Sequence, residues 1–112
     1  MKSQCFYVYL HILLLVLPML AAAHDAAWTP IPNVNDWVIQ NYGWTAVTDY
    51  NESSKKDLWF EGVISGCQIE VYPRTTNFRL TLTVQDGGVT NTYVAIIQNA
   101  SGILRLLSFS LA

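Results

Sequence analysis

From Phe78 to Gln85 apolar and polar side chains alternate without a break, Phe78, Leu80, Leu82 and Val84 on one side and Arg79, Thr81, Thr83 and Gln85 on the other. That period of two is the pattern of a strand with one buried and one wet face. Asp86-Gly87-Gly88 follows at once and supplies the positive-φ residues of a tight hairpin turn. A lone hairpin is barely stable in water, so the rest of the chain must cover the apolar face. Asp36 to Asn51 reads as the covering helix, with Asn35 or Asp36 as its cap. Ile39, Tyr42, Gly43, Ala46 and Tyr50 recur on one helical face, and the small Gly43 and Ala46 at its middle admit a sheet at close range. Thr92 to Ile97 reads as the returning strand, with further strands at Trp59–Val71 and Ile103–Leu111. Pro30 and Pro32 bracket Ile31 in an extended N-terminal arm suited to a sheet edge. The expectation is an α+β fold, one α-helix packed across a five-stranded antiparallel β-sheet.

The N-terminal stretch belongs to a different class. No Asp, Glu, Lys or Arg falls between Cys5 and Leu20; Lys2 precedes the run and Ala21-Ala22-Ala23 follows it. A cationic start, an apolar run broken by Pro18 and a small-residue exit read as a signal peptide over residues 1–23, not as a membrane-spanning helix. The domain is then 24–112, secreted to the extracellular space or the vacuole, with no membrane association after cleavage. Its five bases against eight acids give a net charge of −3, without the basic run that a nucleic-acid partner requires. Cys5 departs with the leader, so Cys67 is expected to stand alone as a small, half-buried apolar residue in a monomer. A disulfide dimer through Cys67 is the reactive alternative.

Catalysis finds no support in the residues. His24 at a ragged terminus cannot orient Cys67 or a serine as nucleophile, and no His/Cys/Glu cluster has ligand spacing for a metal. The chain is expected to be no enzyme and to need no cofactor. Asn51-Glu52-Ser53 and Asn99-Ala100-Ser101 are glycosylation sequons. Trp37, Trp44 and Trp59 lie off the apolar helix face and are read as a second packing layer against the arm or the strand ends, a contact surface being the other reading.

Several of these segments together resemble the plant cystatins, small secreted inhibitors of papain-like cysteine proteases. Trp28-Thr29-Pro30-Ile31-Pro32-Asn33-Val34-Asn35-Asp36 is similar to the family's opening W-x-P-I-x-N-V-x-D. Gly43, Ala46-Val47 and Tyr50-Asn51 fit its helix signature, although Thr45 stands where the family has Phe. Thr76-Asn77-Phe78-Arg79-Leu80, Asp86-Gly87-Gly88 and Tyr93-x-Ala95 follow its hairpin without a gap, and Leu107-Ser108-Phe109 its close. The resemblance implies reversible occlusion of a protease cleft by three elements on one edge. Strand alternation brings to that edge the arm with Ala26, Ala27 and Trp28, the loop Val71-Tyr72-Pro73-Arg74-Thr75, and the loop 98–102 with Ser101 and Gly102.

Those three elements are where the sequence departs from the family. Ala26-Ala27 replaces the arm's glycine, Pro73-Arg74-Thr75 stands where Q-x-V-x-G ends, and Ser101-Gly102 takes the place of Pro-Trp. Losing a buried interface Trp and two loop geometries removes roughly 3–6 kcal/mol, enough to turn nanomolar inhibition into micromolar or weaker. Inhibition that is weak or redirected is therefore expected. The competing reading is a non-inhibitory secreted glycoprotein that uses the scaffold for other recognition.

Overall fold

The computed structural model describes Cys5 and residues 27–112. The arm residues His24, Asp25 and Ala26, and the leader apart from Cys5, lie outside the described residues. In chain order the elements are β1 (Thr29–Pro30), α1 (Trp37–Ser54), β2 (Trp59–Tyr72), β3 (Thr75–Asp86), β4 (Val89–Ala100) and β5 (Ile103–Leu111). The five strands form one sheet in sequential order, each antiparallel to the next. α1 lies across one face, as the two apolar patterns require.

Asp36 caps the helix, its carboxylate accepting from Val38 N–H at 3.0 Å. The helix runs to Ser54, three residues past the expected end, because Ser53 and Ser54 hydroxyls donate back to the Tyr50 carbonyl and Lys55 closes the last turn in the left-handed conformation. Gly43 has the role that its position implies. A Cβ there would lie 2.5 Å from Val63 Cγ2 and 2.8 Å from Phe60 Cε1, so any side chain would force α1 off the sheet. Leu80, Leu82, Val84 and Ala95 are fully buried beneath the helix. Tyr50, Tyr93 and Phe109 stack at one end of the core, while Tyr42 meets Phe78 edge-on at 5.0 Å toward the other.

Three expectations need correction. Cys67 is not alone: it is disulfide-bonded to Cys5, with the Cα atoms 5.7 Å apart, and no cysteine is free for a covalent dimer. Cys5 lies in the segment that reads as a leader, but in the uncut chain it reaches the sheet at Cys67, next to β1. The polar face of β3 is not simply wet either; Thr81 is buried and its neighbours Arg79 and Thr83 are half-buried, on the face that carries the disulfide. The tryptophans are no packing layer. Trp37, Trp44 and Trp59 are 75%, 55% and 74% exposed.

Candidate functional site

β2 runs from Trp59 at one end of the sheet to Tyr72 at the other, and antiparallel pairing decides what meets it there. Thr29 pairs with Gln68, so Ala27 and Trp28 lie beside Ile69 and Glu70 and the arm heads toward the Tyr72 end. A shallow groove of about 320 Å³ runs between them, lined by Ala27, Thr29, Gln68, Glu70 and Thr76. Trp28 is half-buried, with its indole N–H lacking an acceptor among the described residues. Ala26 lies outside the described residues.

The expected five-residue loops are tighter than their sequences suggest. Tyr72 pairs with Thr75, leaving Pro73-Arg74 as a two-residue turn with Arg74 at φ 60°. Val71 is absorbed as a bulge between Glu70 and Tyr72, which is how the strand accommodates the extra residue. β4 pairs with β3 as far as Ala100 opposite Thr75, so the second loop shrinks to Ser101-Gly102, at φ 53° and 89°. Two successive positive φ values mark the mirror-image turn whose twist suits a hairpin.

The two turns touch. Ser101 N–H donates to the Arg74 carbonyl at 2.7 Å, joining the tip of one hairpin to the tip of the next. Asn99 supports this junction from below: its amide Nδ2 donates to the Tyr42 hydroxyl at 2.9 Å and its Oδ1 accepts Gly102 N–H at 2.8 Å. Ala27, Trp28, Val71, Tyr72, Pro73, Arg74, Thr75, Ser101 and Gly102 thus share one rim. Tyr72 and Ile103, each 72% exposed, give it an apolar surface. Ile103 and the Tyr42–Asn99 support were not singled out in the sequence. An asparagine three residues before a glycine turn is the signal that would have pointed to Asn99.

Both sequon asparagines are engaged in the fold. Asn51 Oδ1 accepts Leu58 N–H at 2.9 Å while its Nδ2 donates to Leu58 C=O at 2.8 Å, and Asn99 is bonded as above. Among the described residues no His, Cys, Asp and Glu gather as metal ligands, and no helix is long and apolar enough to cross a membrane. Desolvation lowers the pKa of Arg79, on the sheet face away from α1. An arginine so placed remains a cation.

Residues 31–112 match the family model SQAPI, described as aspartic acid proteinase inhibitor. Cysteine proteinase inhibitor 5 of Arabidopsis thaliana is 39% identical over 95 residues, covering 82% of this chain and 76% of the relative. Cysteine proteinase inhibitor 6 of Oryza sativa subsp. japonica is 38% identical over 102 residues, covering 87% and 88%. Cysteine proteinase inhibitor 1 of Actinidia chinensis var. chinensis is 31% identical over 70 residues, covering 62% and 59%. The chain belongs to this phytocystatin-like family of proteinase inhibitors. The family model's description names aspartic proteinases, a class to which none of the motifs in the sequence points.

Proposed function

We propose that the chain is a secreted proteinase inhibitor that occludes an active-site cleft reversibly with the rim built from Ala27-Trp28, Pro73-Arg74 and Ser101-Gly102. The observation that carries this reading is the Ser101–Arg74 hydrogen bond, which holds two hairpin tips together beside the arm. A rim held in place before contact loses little entropy on binding. No nucleophile is needed, because the rim blocks the cleft without offering a bond to be cut. The names of the plant relatives favour papain-like cysteine proteases as the target.

The tips themselves argue that this activity is weak. No indole stands at Ser101-Gly102, and Arg74 brings a charged side chain to the first tip. Titration of the protein against papain is expected to give a micromolar inhibition constant, and papain with its cysteine alkylated should bind equally well. A low-nanomolar constant would refute the claim of weakness.

A second reading has its own support: residues 31–112 match a model of aspartic proteinase inhibitors, and the altered tips suit a different cleft. The same titration against pepsin separates the two. Nanomolar inhibition of pepsin without inhibition of papain moves the target to the aspartic class. No binding to either leaves the scaffold with a non-inhibitory role.

A further inference from the structure

We propose that the end of the molecule opposite the rim carries a second binding site, which accepts an arginine side chain presented by a partner protein. A groove of about 340 Å³ lies between α1 and the start of β2, lined by Trp44, Thr48, Asp57, Leu58, Trp59 and Phe60. Its volume falls in the range of real ligand sites, roughly 300–1,000 Å³. The groove is preformed. Asn51 grips both backbone groups of Leu58, and the left-handed Lys55 fixes the connection from the helix.

Two observations define the occupant. The first is aromatic: Trp44 and Trp59 stand at the groove more than half exposed, and Trp37 is 75% exposed two helical turns earlier. A spacing of seven residues returns to within about 20° of the same helix face, about 10 Å away along the axis. Three exposed indoles over such a length exceed what one small molecule covers and fit an extended polypeptide. The second is charge. Asp57 is the one ionic side chain lining the groove, and it has no hydrogen bond or ion pair among the described residues. The stretch 49–61 around it in sequence holds Asp49, Glu52 and Glu61 besides Asp57 against Lys55 and Lys56, so the local balance is acidic. Indole faces attract cations, and a planar guanidinium can stack on an indole while pairing two-pronged with a carboxylate, which an ammonium cannot do.

The test is titration of the protein with a hexa-arginine peptide, read by the indole N–H resonances of Trp37, Trp44 and Trp59. Hexa-citrulline, hexa-lysine and cellohexaose serve as parallel arms. Hexa-arginine is expected to shift the Trp44 and Trp59 signals and to bind at least tenfold more tightly than hexa-citrulline, with hexa-lysine between them. Trp44→Ala, Trp59→Ala and Asp57→Asn should each weaken binding about 2- to 30-fold, the range spanned by a cation–π contact. Tyr72→Ala on the rim should leave it unchanged, and Asp57→Asn should leave proteinase inhibition unchanged, so that the two sites succeed or fail separately. The proposal is overturned if hexa-arginine shifts none of the indoles, if Asp57→Asn binds it as tightly as the parent, or if cellohexaose occupies the groove in its place.

Discussion

The side-chain amide of Gln40 reaches from α1 to the main chain of β2, accepting Val63 N–H at 3.0 Å and donating to Val63 C=O at 3.1 Å, with a further bond to the Val34 carbonyl at 2.7 Å. β1 is only two residues long and pairs with β2 only at Cys67 and Gln68, so on that side this part of β2 has no neighbouring strand, and one side chain stands in for it. Gln40→Ala would leave half-buried backbone groups unpaired and is expected to cost about 1–3 kcal/mol in a urea titration, whereas Gln40→Glu keeps the acceptor and loses the donor. At Arg74, φ 60° is a conformation that costs a side-chain-bearing residue about 1 kcal/mol. Arg74→Gly is therefore expected to raise the urea midpoint slightly, and a fall would mean that the arginine makes an attraction of its own. Gln40 did not stand out in the sequence and Asn99 did so only as a sequon, because the partners that give them their structural roles lie 23 and 57 residues away. Gly43 did stand out, since a glycine on a buried helix face declares a close approach without naming the partner.

The strands were legible where side chains alternate and illegible where the ladder outlasts the alternation. β3 shows its whole apolar face in the sequence, yet β4 continues through Gln98 and Asn99, held by pairing with Asn77 and Thr76 and by the Gln98–Asn77 side-chain bond. Apolar patterning sees burial; it does not see backbone pairing at a rim. The same shortfall hid the turn geometry. Grafting Pro-Trp onto Ser101-Gly102 would place a residue locked near φ −65° where the chain adopts 53°, and would remove the N–H that bonds to Arg74. Ser101→Pro alone is expected to destabilise the protein by about 3 kcal/mol and to broaden the amide resonances of both tips. Ser101→Asn, which tolerates positive φ, should leave both measurements near the parent's. Restoring the indole thus requires rebuilding the hairpin, not only changing its letters.

At the scale of the molecule, the Cys5–Cys67 disulfide and the proposed leader are coupled. It joins residues 62 positions apart, one of them within the segment read as a signal peptide. Removal of residues 1–23 would leave Cys67 a thiol on β2, opposite Pro30 of β1. The intact mass of the secreted protein, measured without reductant, is expected to begin at His24, with Cys67 alkylated by N-ethylmaleimide only after unfolding. A mass that includes Cys5, with no alkylation until a reductant is added, would show that the leader stays attached. The overall architecture was open to sequence reading because each element shows its apolar face in its own period. What the rim binds was not, since only backbone turns and two distant side chains bring its parts together.

Because the amide of one turn is committed to the carbonyl of the other, the two hairpin ends cannot drift independently over evolutionary time. A substitution that re-angles Arg74 moves the acceptor on which Ser101 depends, so new specificities should arise as correlated pairs of changes. Anyone diversifying this scaffold would do well to randomise both ends in a single library.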